Sequence, residues 1–152
     1  MSKEFPNLQL IELPAYNITY QRKNFVFGLM LQLPKMAYAV WREYRQVGRL
    51  VKAQRIDAII SDNRFGCFAH QVPSVFITHQ INLMVPNIAL QALARWGNRF
   101  WINTFFDTCW VPDLDGEPNL SGELSHGMKM KSVIYLGVLS RMKYQEVEKN
   151  TT

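Results

Sequence analysis

The chain has 152 residues, 48% hydrophobic, 19% charged and 12% aromatic, a balance that supplies a core and excludes disordered or collagen-like chains. A formal net charge of +5 favours anionic partners such as phosphates, nucleic acid or acidic lipid, and says nothing about fold. The two cysteines, Cys67 and Cys109, lie in or beside apolar runs with no CxxC or Cys/His spacing, which excludes a disulfide framework or a zinc pattern and suits a reducing cytoplasm.

The start, Met-Ser-Lys-Glu-Phe-Pro, has no apolar signal-peptide core. Residues 8–13 then read as a strand, continuously apolar but for Gln9 and Glu12. The longest apolar stretch, residues 25–33, is far short of the ~20 residues needed to span a bilayer. With Arg22, Lys23 and Lys35 around it, this stretch either docks on a core or lies in the headgroup region of an acidic membrane. A cytoplasmic location, with room for peripheral contact at the inner membrane face, is the expectation.

Residues 34–54 carry the strongest helix pattern, with Pro34 suited to the first turn. Met36, Val40, Tyr44, Val47 and Val51 recur at spacings of three and four and form one apolar face. Arg42, Arg45, Arg49 and Lys52 fall on a stripe about 80° wide away from it, either a solvated face or an anion-binding surface. Short apolar strands are predicted at 58–61 and 74–78. A second helix follows at 87–105, with Leu90, Leu93, Trp96, Phe100 and Trp101 on the side assigned to the core and Arg95 and Arg99 opposite. Further strands at 108–111 and 133–136 complete the set, and residues 144–152 read as a frayed tail or linker stub. Continuously apolar strands separated by helices imply an α/β fold with a mainly parallel sheet covered on both faces.

In such a sheet the residues after each strand collect along one edge, where ligands of open α/β folds bind. Here those residues are Ser61-Asp62-Asn63-Arg64, Thr78-His79-Gln80, Pro112-Asp113-Leu114-Asp115-Gly116-Glu117 and Gly137-Val138-Leu139-Ser140-Arg141. Asp62 and Asn63 suit an Asx turn, or else Asp62 orients a hydroxyl or acts as a base while Asn63 and Arg64 supply donors. His79 is either a satisfied edge residue or a proton acceptor. Asp113, Asp115 and Glu117 lack the spacing of a calcium loop and read as loop acids, so no metal site is assigned. Residues 119–126, Asn-Leu-Ser-Gly-Glu-Leu-Ser-His, look like a capped turn whose amides and Ser121 suit an oxygen-rich ligand. GxGxxG, P-loop, GxSxG and HExxH patterns are absent.

Taken together, Phe5-Pro6, Ile11-Glu12-Leu13-Pro14 with Tyr16-Asn17-Ile18, Ile60-Ser61-Asp62-Asn63-Arg64-Phe65-Gly66, Ile77-Thr78-His79-Gln80, Trp110-Val111-Pro112-Asp113, Asn119 to His126, and Tyr135-Leu136-Gly137 with Leu139-Ser140-Arg141 carry a resemblance. The chain resembles bacterial proteins related to the GT-B glycosyltransferases, of the broad type that completes the lipid-linked cell-wall precursor. That resemblance implies an incomplete Rossmann-like three-layer domain over residues 1–143, the N-terminal acceptor lobe without its Gly-rich opening and without the donor lobe. It implies transfer of a sugar from a nucleotide-sugar donor, of the UDP-sugar type and held on the missing lobe in cis or in trans, to a glycan or lipid-linked acceptor. A chain without that lobe is expected to be inactive alone. His79 and Asp62 would carry the chemistry, while Asn63, Arg64, Gln80, Asn119, Ser121, Glu123 and His126 would bind the acceptor; no cofactor is expected on this chain and nucleic acid is not an expected partner. The alternative is a basic nucleic-acid-binding module using the Arg42, Arg45, Arg49 and Lys52 stripe, or a membrane-surface module in which residues 25–33 insert and the surrounding Arg and Lys meet acidic headgroups. With the strand order of this fold class, residues 8–13 would form an outer strand that either pairs with 58–61 or is left unpaired.

Overall fold

The computed structural model describes residues 6, 8–16, 25–54, 56–82, 88–126, 130 and 132–139. Asn17, Ile18, Arg22, Lys23, Ser140, Arg141 and the tail 144–152 fall outside the described residues. The elements are α1 (Phe25–Gln54), β1 (Ile59–Asp62), β2 (Ser74–Ile77), α2 (Ile88–Phe105), β3 (Thr108–Val111), a single 3-10 turn (Gly122–Leu124) and β4 (Val133–Tyr135). The four strands form one sheet in the order β1-β2-β3-β4, with every neighbouring pair parallel. This is an α/β fold.

Strand alternation decides which residues meet the helices. Ile59, Ser61, Ser74, Phe76, Cys109 and Val111 are buried on the inner face, where register sets Ile59 against Ser74 and Phe76 against Cys109. Both helices pack on that face. Ile102 of α2 joins Phe68, Phe76, Phe106, Cys109 and Val111 in one cluster, and Val47 and Val51 of α1 join Ile59 and Ala69 in a second. The opposite face presents Ile60, Val75, Ile77, Trp110 and Ile134, and among the described residues no helix covers it: Ile60 is 58% exposed. The described residues thus form two layers rather than the expected three.

Three other expectations are corrected. Residues 8–13 form no strand. Gln46 Nε2 donates to the Glu12 carbonyl at 2.9 Å and Arg64 Nη2 to the Pro14 carbonyl at 2.6 Å, while Leu13 packs beside Val47 and Ile59. The segment therefore lies against the helical layer, its backbone held by side chains, and β1 has no second strand partner among the described residues.

Pro34 does not start a helix; α1 runs through it from Phe25. A ring there removes only one ladder donor, and the preceding Leu-Gln-Leu are good helix formers with no capping side chain to stop them. The described side chains of the stretch 25–33 include Leu31 and Leu33, both exposed, so these two do not dock on the core. The third correction concerns α2, whose buried face is Asn98 and Ile102, with Trp101 and Phe105 packed against the core cluster. Leu93, Trp96 and Phe100 face outward, with the rings of Trp96 and Phe100 stacked at 5.5 Å. Choosing the richest aromatic stripe put the helix about a third of a turn off, because Asn98 is polar and hid the face that is buried.

Candidate functional site at the strand ends

Because all strands run one way, the residues after β1, β2, β3 and β4 share one edge. At the end of β1, Asp62 and Asn63 are exposed, and Asn63 Nδ2 donates to Asp62 Oδ1 at 3.4 Å. Asn63 adopts a φ of 51°, a left-handed conformation that Asn tolerates, and this turns the chain sharply. The turn is held by the Asn63 amide on the Ile77 carbonyl (3.1 Å) and by Ser61 Oγ on the Arg64 carbonyl (2.6 Å).

Arg64 does not project into the edge. Its Nε pairs with Glu43 of α1, its Nη2 reaches the Pro14 carbonyl, and its guanidinium stacks 5.4 Å from the Tyr16 ring centre. Glu43 is 0% exposed and also accepts from the Gly66 amide at 3.0 Å and from the Tyr16 hydroxyl. Burial first, then the hydrogen bond to Glu43, pushes the Tyr16 phenol well above its ordinary value. Gly66 allows this approach: a Cβ there would stand 2.3 Å from the Val40 carbonyl oxygen. Arg64 is thus engaged within the fold, beside the only carboxylate in α1.

At the end of β2 the buried Thr78 accepts the Gln80 amide on Oγ1 at 3.0 Å, turning His79 and Gln80 outward, where both are exposed. Asn98 of α2 donates to the Ile81 carbonyl at 2.8 Å and to that of Gln80 at 3.4 Å, fixing the same turn from below.

The loop after β3 is organised around Asp113, which is 0% exposed. Its carboxylate accepts the amides of Leu114 (2.8 Å), Leu120 (3.0 Å) and Ser121 (2.8 Å) and the Ser121 hydroxyl. The Ser121 hydroxyl and then the Leu120 amide hold this acid below the usual carboxylate range. From Ser121 the contacts continue to Ser125 Oγ and from there to His126 Nδ1 at 2.9 Å. His126 stacks on Tyr135 with ring centres 4.9 Å apart, and its Nε2 lies 2.9 Å from the Leu114 carbonyl. Asn82, just beyond β2, donates to the Glu123 and His126 carbonyls at 2.6 and 2.9 Å and ties this rim to the β2 end.

Of the residues assigned to binding, Ser121 and His126 are spent inside the loop. Asn119 also works locally, donating to Gly116 and Glu117 and accepting the Gly122 amide at 2.7 Å. The Glu123 side chain is exposed on the 3-10 turn. Of the residues assigned to the site, Asp62, Asn63, His79, Gln80 and Glu123 are thus exposed at the edge, standing on a frame made by Glu43, Arg64, Asn82, Asp113 and Ser121.

No protein-family model, no curated protein and no solved structure matches this chain.

Among the described residues no group of His, Cys, Asp or Glu has the arrangement to hold a metal ion, and no helix is long and apolar enough to cross a membrane. The edge can present a carboxylate and an imidazole, acceptors for a hydroxyl proton, beside amide donors. Sequence reasoning missed Glu43 and Asn82. Glu43 did leave a signal, for it lies three residues after Val40 and four before Val47, a charge set into an apolar face.

Proposed function

We propose that the strand-end edge is the acceptor side of a sugar-transfer site, and that the chain represents the acceptor-lobe part of a GT-B-type glycosyltransferase with a Rossmann-like sheet. The observation supporting this reading is the register of β1 with β2, in which Asp62 pairs with Ile77. Asp62-Asn63 and His79-Gln80 then occupy adjacent corners of one edge, and β1 is the strand at which a reversal of strand order would create a ligand crevice.

In such a reaction the acceptor hydroxyl lies between these corners. His79 or Asp62 takes its proton as the oxygen bonds to the anomeric carbon, and the nucleoside diphosphate departs with the electrons of the broken bond. The donor, a nucleotide sugar, is bound by a second lobe in cis or in trans, whose helix N-termini and cations stabilise the leaving diphosphate.

Nuclear magnetic resonance titration with a short-chain prenyl diphosphate carrying a saccharide tests the reading. Asp62, Asn63, His79 and Gln80 are expected to shift, the shifts being lost in the Asp62→Ala/His79→Ala double variant, and UDP-N-acetylglucosamine is expected to leave them in place. A titration in which those four resonances stay still while the saccharide moves none of their neighbours overturns the proposal.

A further inference from the structure

Along α1 the solvent side changes character from one end to the other. At about 100° per residue, Leu31, Tyr38 and Trp41 share an arc roughly 100° wide with Arg42, Arg45, Arg49 and Lys52, opposite the buried Val47 and Val51. Leu31 is 66% exposed, Tyr38 58% and Trp41 49%, and Pro34 and the four cations are exposed as well. From its N-terminal end onward this side is therefore apolar, then aromatic, then cationic. Leu31 to Trp41 covers about 15 Å of helix, and Arg42 to Lys52 covers about the same again.

The charge of this side is of one sign. The single acid of α1, Glu43, is 0% exposed and paired with Arg64, and α2 has no acid at all. No carboxylate of either helix therefore offsets the four exposed cations. A helix face that meets only water usually intersperses both signs and keeps large apolar groups few. Where the apolar and cationic halves meet, the Tyr38 and Trp41 rings stack at 5.8 Å, with Arg42 5.9 Å from the first ring centre and Arg45 5.1 Å from the second. A guanidinium held over an aromatic face keeps N–H groups available for a phosphate oxygen.

We propose that the solvent side of α1 docks obliquely on an anionic phospholipid surface, with Leu31 and Pro34 below the headgroups, Tyr38 and Trp41 at headgroup level, and Arg42, Arg45, Arg49 and Lys52 over the lipid phosphates. Tyr and Trp favour the boundary between hydrocarbon and water, and clustered Arg and Lys favour an acidic leaflet. The helix is not long and apolar enough to cross a membrane, so such contact places it in the interface. A nucleic-acid backbone would engage the cations and leave Leu31 in water, whereas an acidic bilayer covers both halves. This inference stands independently of the sheet edge and of any sugar chemistry there.

Sedimentation of the full chain with vesicles of phosphatidylcholine alone, and of phosphatidylcholine mixed with phosphatidylglycerol, tests it. Binding is expected with the mixed vesicles only, and it should weaken as salt rises. Leu31→Asp and the Arg45→Glu/Arg49→Glu double variant alter exposed side chains. Each is expected to lower vesicle affinity at least about tenfold with the thermal midpoint retained. Brominated acyl chains in the mixed vesicles should quench the tryptophan fluorescence of the native chain more than that of Trp41→Phe. Equal binding to both kinds of vesicle, binding to neither, or affinity indifferent to Leu31→Asp overturns the proposal. Binding to single-stranded RNA in place of vesicles overturns it too, and assigns the cations to nucleic acid.

Discussion

Arg64 turns away from the sheet edge and pairs with Glu43, a carboxylate with no exposed surface. Removing one partner of a buried pair leaves the other uncompensated, which costs more than the pair itself contributes. Glu43→Ala is expected to lower the free energy of unfolding by on the order of 3 kcal/mol, measured by urea denaturation. Glu43→Gln keeps acceptors for the Tyr16 hydroxyl and the Gly66 amide and should lose less. Equal losses in the two variants would show that the charge, rather than the hydrogen bonds, holds the segment 8–16 against α1.

Asp113 has a folded pKa below its unfolded value of about 3.9. Its contribution to stability is therefore complete above that unfolded value and is lost as pH falls from about 4 toward the depressed folded pKa. Acid unfolding of the native chain should steepen below pH ~4, and Asp113→Asn should flatten that limb. The titration of Asp113 would be absent from the acid limb if both proteins gave parallel curves of stability against pH between about 2 and 5.

The face assignment of α2 is open to a direct comparison. Ile102 is 1% exposed and Trp96 is 63% exposed. Ile102→Ala should cost about 2–5 kcal/mol through cavity formation. Trp96→Ser loses only its exposed stacking on Phe100, a change of about 1 kcal/mol or less. Chemical denaturation of the two variants distinguishes this orientation of the helix from the reverse, in which the larger residue would carry the larger cost.

Burial pushes the Cys109 thiol up to about 11. Because the thiolate is the reactive form, Cys109 should resist a disulfide reagent at pH 8 in the native protein and react fully once urea unfolds it. Cys67 is also raised, by burial first and then by the Glu43 charge, and is only half-buried, so it should react first. Counting modified thiols by mass spectrometry over time gives the order directly.

Strands β1 to β4 and the body of both helices were legible from apolar runs and turn residues, because a strand buried between neighbours needs only local composition to announce itself. Two errors share one cause. Residues 8–13 are as apolar as β1, and Leu93, Trp96 and Phe100 are more apolar than Asn98, but a strand needs a neighbour and a buried helix face needs a partner, neither of which is written locally. The candidate site divided in the same way. Asp62, Asn63, His79 and Gln80 were placed at the edge by topology, whereas the turning of Arg64 depended on Glu43, 21 residues upstream.

Strand order in this sheet repeats the order of synthesis. Each strand therefore pairs beside the one that precedes it in the chain, and among the described residues no strand is inserted between two earlier ones. The corner proposed to meet the acceptor is thus built entirely from β1 and β2, N-terminal to the Asp113 loop that forms its rim.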